Sequence, residues 1–217
     1  MRKDYKYVLF DLDGTVTDPK IGITKSVQHA LKYYNIKVDD LDSLNPFIGP
    51  PLKDSFMNFY NFDEITAVEA IEKYREYFKG TGIFENILYY GMDSLLAKLV
   101  YNGKILILAT SKPTIYAKQI LEHFEINKYF SFVSGSEMDG TRTKKSEVIE
   151  YALAQFNITD LEDVIMIGDR EYDVKGAREV GVDSVGVLYG YGDYDELKSA
   201  EATYLASDID ELIQILL

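Results

Sequence analysis

The sequence predicts an α/β fold, an open parallel sheet interrupted once by an all-helical insertion, and three observations lead there. Short apolar runs recur without polar alternation, helix-like stretches separate them, and residues 19–82 hold helix-like segments but no convincing strand. Unalternated apolar runs are what strands look like when helices cover both faces of their sheet, because neither side then meets water.

The elements follow in order. The first strand is YVLF, 7–10, and the insertion comes directly after it. Within the insertion, ITKSVQHALKYY, LKDSFMNFY and DEITAVEAIEKYREYF have helical spacing, and NPFIGPP, 45–51, reads as a loop between them. The sheet resumes after MDSLLAKLVYNG, a helix closed by glycine, with the strand ILILAT at 105–110. PTIYAKQILEHF has proline near its start, as helices allow, and leads to the strand FVSG at 132–135. KSEVIEYALAQF is the next helix, followed by the strands VIMIGD at 164–169 and SVGV at 184–187. The reading is a Rossmann-like core of residues 1–15 and 83–217 with a helical domain at 16–82.

Composition narrows the function. A hydrophobic fraction of 47% and a charged fraction of 27% fit a globular chain and argue against disorder. The formal net charge of −13 would repel a phosphate backbone, so nucleic acid is not an expected partner. With no cysteine, disulfides and thiolate metal sites are excluded, which fits a reducing compartment. YVLF is too short for a signal peptide or a membrane span, so the expectation is a cytoplasmic protein with no membrane partner.

The first strand runs straight into two acids, VLFDLDGT. In extended backbone, alternate side chains share a face, so Asp11 and Asp13 point together while Leu12 turns to the core. Carboxyl ends of strands are where open α/β sheets place ligands. Two carboxylates so close raise each other's pKa unless a cation intervenes, and a hard divalent ion such as Mg²⁺ would resolve the conflict. Gly14 permits a tight turn whose N–H groups can approach an anion. Standing alone, the pair would read as Asx residues capping a turn. A second apolar strand ending in acids, IMIGDREYD with Asp169 and Asp173, makes coincidental turn chemistry a poor explanation.

Two further elements accompany the acids. ILILATSKP ends a strand in Thr110 and Ser111 just before a helix whose second residue would be Pro113, an arrangement that makes either a phosphate cradle or an N-cap. TRTKKSEVIEYAL puts Lys144 or Lys145 at a helix start, where the macrodipole disfavours a cation, so the lysine either meets an anion or lies in solvent.

Taken in order, DLDGT, ATSKP, KKSEV and GDREYD resemble the four motifs of the haloacid dehalogenase superfamily of phosphatases, and a helical cap after the first motif is also a feature of that family. The likeness covers essentially the whole chain and is nearest to the phosphoglycolate phosphatase group. It implies that Asp11 attacks phosphorus to give an aspartyl-phosphate and that Asp13 moves the proton. It further implies that Mg²⁺ is held by Asp11, the Asp13 main-chain carbonyl and Asp169, and that Thr110 and a lysine hold the phosphoryl oxygens, with Ser111 and Gly14 beside them. Asp173 would orient the lysine or a metal-bound water. The proline usual after the catalytic lysine is absent, so Lys144 and Lys145 compete; Lys145 is chosen because SEVIEYAL gives the better match to the helix that follows. In place of the familiar DS after the first motif, Asp18 is followed by Pro19.

The implied activity is a Mg²⁺-dependent phosphatase of a small phosphorylated metabolite, phosphoglycolate by family resemblance. A 5'-nucleotidase or pyrophosphatase of the same fold, a β-phosphoglucomutase-like phosphomutase and a non-catalytic binding protein are the alternatives. Asp13 favours ester hydrolysis, since dehalogenases of the superfamily lack it. Substrate choice would lie in the insertion, where Gly49 allows close approach and Lys53 reads an anion or merely joins two helices. Arg170 would meet substrate or pair with a neighbour. YGYGDYDEL resembles a loop that lies near the site in relatives. His29 and His123 have packing or surface roles, and the chain is a monomer or homodimer.

Overall fold

The computed structural model describes residues 3–217, and the chain divides into two compact units, one running to Thr17 and resuming over Leu88–Leu217, the other Asp18–Ile87. The chain order is β1 (Tyr7–Phe10), β2 (Thr17–Asp18), α1 (Lys20–Tyr33), α2 (Leu52–Tyr60), α3 (Glu64–Phe78), β3 (Ile87–Leu88), α4 (Met92–Tyr101), β4 (Ile105–Pro113) and α5 (Thr114–His123). It continues with β5 (Phe130–Ser136), α6 (Lys145–Gln155), β6 (Val164–Gly168), α7 (Glu171–Val180), β7 (Asp183–Val187), α8 (Tyr194–Ser199), β8 (Tyr204–Ala206) and α9 (Ile209–Leu216).

In the first unit, β5-β4-β1-β6-β7-β8 form a sheet of six parallel strands, confirming the expected α/β class. All five residues of β6, VIMIG, are buried, as a central strand covered on both faces requires. Leu9, Ile107, Val164 and Met166 share one face of the sheet with Val148, Ile149 and Ala152 of α6 and Ala177 of α7. The chain leaves β1 for β4 and β5 on one side, then returns to place β6, β7 and β8 on the other. The strand order therefore reverses between β1 and β6, and the carboxyl ends of strands at such a reversal are where open α/β sheets place their ligands.

The irregular end of β4 has a local cause. Its ladder with β5 passes from Ala109↔Ser134 straight to Pro113↔Ser136, so Thr110, Ser111 and Lys112 lie in a bulge. Gly135 makes room for it, since a Cβ there would sit 2.6 Å from the Lys112 carbonyl oxygen. Pro113 is the cap residue before α5, at φ −54° and ψ 131°, and not a residue inside that helix as the sequence suggested.

The second unit is built on α1 and α3. Ile23, Val27, Ala30 and Leu31 give α1 one buried stripe at helical spacing, and Ala67, Ala70, Tyr74 and Phe78 give α3 another. Asp63 caps α3 by accepting from the Thr66 N–H at 2.8 Å. The segment expected to be wholly loop, 45–51, begins inside a 3₁₀ helix, Leu41–Phe47. Asp40 starts that helix by accepting from Asp42 N–H at 2.9 Å, and buried Leu44 and Phe47 anchor it. No helix among the described residues is long and apolar enough to cross a membrane.

Candidate active site

Asp11 extends β1 by one residue, its N–H bonding Ile167 O of β6 at 2.9 Å. Leu12 is fully buried while Asp11 and Asp13 are 5% and 9% exposed, so the strand alternation persists into the acids. The chain then closes a turn on Leu12, whose carbonyl accepts from Val16 N–H at 2.9 Å and Thr17 N–H at 3.0 Å. Gly14, at φ +88°, makes this turn. Its N–H donates to Thr17 O at 2.7 Å. What Gly14 supplies is space: a Cβ there would lie 2.1 Å from Asp169 Oδ2.

Lys145 opens α6 and turns inward, with Nζ 2.6 Å from Asp11 Oδ1, 2.7 Å from Asp173 Oδ1 and 3.1 Å from Ala109 O. Burial works against its charge, yet Asp11 and Asp173 outweigh that penalty and hold its pKa above the ordinary lysine value. Lys144 occupies the cap position and is exposed. The structure thus brings Lys145, and not Lys144, to the acids.

Asp169 and Asp173 arrive from β6 and α7. Asp169 is fully buried; its Oδ1 accepts from Thr15 Oγ1 at 3.4 Å and its Oδ2 from Tyr191 N–H at 2.7 Å. Burial, then the charges of Asp173 and Asp11, push its carboxyl well above the usual range, although the Tyr191 N–H opposes them. Asp173 also accepts from Arg170 N–H at 3.1 Å. Its pKa is pushed up to about 6 by burial, with Lys145 pulling the other way. Oxygens of Asp11, Asp169 and Asp173 lie within 4.8 Å of one another. Three buried carboxylates facing one lysine make an all-oxygen, net negative donor set that suits a hard divalent cation.

Other expected residues fall in varied places. Thr110 is 2% exposed in the β4 bulge, and its Oγ1 accepts from Lys112 N–H at 3.3 Å. The Ser111 carbonyl accepts from Ser136 Oγ at 2.8 Å. Arg170 gives its Nε to Glu196 Oε1 at 2.8 Å, the neighbour-pairing alternative of the sequence reading. In the helical unit, Gly49 has φ +103° and Lys53 is ion-paired with Glu64. His29 contacts Glu76 at 3.3 Å, and the His123 ring packs edge-on against Phe124.

One contact at the site is absent from the sequence analysis, and one loop is there by resemblance alone. Lys112 places Nζ 2.5 Å from Asp13 Oδ2, and its lysine in ATSKP was the available signal. The segment after β7 wraps Asp169: besides the Tyr191 contact, Gly192 N–H donates to the Asp169 carbonyl at 3.0 Å, and Tyr189 OH donates to Thr15 O at 3.0 Å. Only its likeness to a loop of relatives pointed there.

Fold and site place the chain among the enzymes that work at the carboxyl edge of an open α/β sheet. Residues 8–187 match the haloacid dehalogenase-like hydrolases, and the chain belongs to that family. It is 47% identical over 212 residues to a 5'-nucleotidase of Pseudomonas aeruginosa, covering 98% of this chain and 96% of that one. Identity is 39% over 211 residues to tyrosine-protein kinase PtkA of Mycobacterium tuberculosis, covering 96% of this chain and 72% of that one. It is 26% over 219 residues to a phosphoglycolate phosphatase of Colwellia psychrerythraea, covering 97% and 96%. A solved structure of a predicted phosphatase from Clostridium acetobutylicum is 55% identical, with a TM-score of 0.95 and 97% of each chain covered.

Proposed function

We propose that this phosphoric monoester hydrolase is Mg²⁺-dependent, works through an aspartyl-phosphate on Asp11, and takes a nucleoside 5'-monophosphate as its first substrate to test. The observation that carries the chemistry is the buried contact of Lys145 with both Asp11 and Asp173, with Asp13 two residues beyond the nucleophile. Lys145 masks the charge of Asp11 that would repel a phosphoryl group, and Asp173 fixes the lysine in place.

In the first step an Asp11 oxygen bonds to phosphorus, the P–O bond to the leaving group breaks with its electron pair on oxygen, and Asp13 gives that oxygen a proton. In the second, Asp13 takes a proton from water as the water oxygen bonds to phosphorus, and the Asp11 carboxylate and inorganic phosphate separate. Thr110 and Lys145 hold phosphoryl oxygens throughout, with Ser111 beside them. Asp11, Asp169 and the Asp13 main-chain carbonyl would hold Mg²⁺, which would supply positive charge to offset the developing negative charge of phosphoryl transfer.

Nucleotide is preferred over phosphoglycolate because identity to the 5'-nucleotidase is 47% against 26% to the phosphoglycolate phosphatase, at comparable coverage. The helical unit, with Gly49 and Lys53, is the region to examine for specificity; Lys53 already has Glu64 as a partner, which weakens its case as an anion reader. The absence of cysteine supports a cytoplasmic setting.

Asp11→Asn is expected to lower Mg²⁺-dependent phosphate release from p-nitrophenyl phosphate by about 10³-fold or more, with unchanged circular dichroism. Undiminished turnover would refute the nucleophile. A panel of nucleotides, phosphoglycolate, sugar phosphates and pyrophosphate, ranked by kcat/KM, identifies the substrate. Isomerised sugar phosphate in place of inorganic phosphate would favour a mutase, and phosphoryl transfer from ATP to a tyrosine peptide would favour a kinase.

A further inference from the structure

Asp13 divides its two carboxylate oxygens between different surroundings. Oδ2 lies 2.5 Å from Lys112 Nζ, and the two side chains are 12% and 6% exposed. Oδ1 is buried and has no hydrogen-bond partner among the described residues. A buried carboxylate oxygen without a donor is costly and calls for a specific reason.

The lysine is held from its backbone. Its N–H donates to Thr110 Oγ1 at 3.3 Å, and its carbonyl lies against Gly135, where a Cβ would come within 2.6 Å. On either side of it, Ser136 Oγ donates to Ser111 O at 2.8 Å, and Thr114 Oγ1 donates to Ser136 O at 3.2 Å. The bulge in β4 therefore fixes a cation against one oxygen of Asp13, and the catalytic steps above have no other task for it.

We infer that Lys112 is a positioning residue for Asp13: it holds Oδ2, so that Oδ1 is the oxygen that passes the proton to the leaving group. As the P–O bond breaks and its electron pair moves to the leaving oxygen, the Oδ1 proton transfers to that oxygen, and the carboxylate left on Asp13 stays paired with the Lys112 ammonium. Atoms and charge balance without a further reactant. The assignment rests on the phosphatase reading, and it makes Lys112 matter most where the leaving group most needs a proton.

The test uses aryl phosphates of similar shape whose leaving groups differ in basicity: p-nitrophenyl, phenyl and p-methoxyphenyl phosphate. For Lys112→Met in the full-length protein with Mg²⁺, kcat/KM is expected to fall about 10- to 100-fold on the phenyl and p-methoxyphenyl esters, within the range of acid catalysis, and several-fold less on the p-nitrophenyl ester. Lys112→Arg keeps the cation and is expected to recover most of the loss. Thermal melting of both variants checks the fold.

An equal loss across the three esters overturns the positioning role. So does weakened inhibition by inorganic phosphate with no dependence on leaving group, which would make Lys112 an anion reader. The phosphatase reading fails by a different signature, wild-type protein that hydrolyses none of the esters or an Asp11→Asn variant that still does, and the Lys112 assignment would fall with it.

Discussion

Gly190 shows how one residue without a side chain can shape a charged site. A Cβ there would lie 2.3 Å from Asp169 Cβ, 2.4 Å from Gly14 O and 2.5 Å from Asp169 Oδ2. Because nothing larger than hydrogen fits, the chain comes close enough for Tyr191 N–H to bond Asp169 Oδ2 at 2.7 Å, which fixes how the carboxylate is turned. Groups that orient a metal ligand typically change affinity by about 10- to 100-fold when lost. With Asp169 as a ligand of the proposed Mg²⁺, Gly190→Ala is expected to raise the Mg²⁺ concentration needed for half-maximal thermal stabilisation by about 10-fold. Differential scanning fluorimetry against Mg²⁺, with no substrate present, measures it; an unchanged midpoint would show that the loop does not orient Asp169.

At the scale of elements, α6 and α7 meet through Gly176. A Cβ on that residue would come 2.7 Å from Lys145 Cβ and 3.0 Å from Ser146 N, so the close crossing sets where the first turn of α6 lies. Lys145 is the first residue of that turn, and its Nζ must reach Asp11 and Asp173. Overpacking such a crossing costs about 1–3 kcal/mol. Gly176→Ala is expected to lower unfolding stability by that amount in a denaturant titration, and to lower kcat as well because Lys145 is pushed off its partners. Lost stability with full kcat would mean that α6 yields without moving the lysine.

Across the whole molecule, two populations of acids oppose each other. Several exposed carboxyls, among them Asp4, Asp63 and Glu64, have lowered pKa values from side-chain bonds to Lys104, backbone N–H groups and Lys53 respectively, so they favour folding as pH rises. The buried set has the reverse sign. Asp169 and Asp13 are raised by burial, and Asp173 is pushed from 3.8 to about 6, so the folded state binds more protons than the unfolded one in that window. Stabilisation from such a group is full below its unfolded value and is lost as pH climbs through its folded value. In metal-free protein, the stability of the wild type relative to Asp173→Asn is therefore expected to fall between about pH 4 and pH 7. Urea unfolding of both proteins in chelator reads the difference; a gap that widens with pH would reverse the sign assigned to Asp173.

Much of this was legible in the residues, and where it was not there is a physical cause. YVLF and LKDSFMNFY fall on β1 and α2, because an unbroken apolar run and a helical stripe with proline before it are local signals. Tyr204–Ala206 was not read as a strand: three residues carry too little periodicity, and only pairing with β7 makes them β8. The 3₁₀ helix over Leu41–Phe47 was hidden by Asn45 and Pro46, which in sequence announce a loop. Alternation along an extended strand was enough to put Asp11 and Asp13 on one face, and a second acid-ended strand was enough to suggest that a cation belongs with them. The choice of Lys145 over Lys144 was available from the helix that follows it, but that its Nζ reaches both Asp11 and Asp173, that Lys112 holds one oxygen of Asp13, and that Gly190 clears the space around Asp169 were decided by the tertiary structure alone. Each is a contact between segments tens of residues apart in the chain, set by strand order and close packing, which no local pattern of residues encodes.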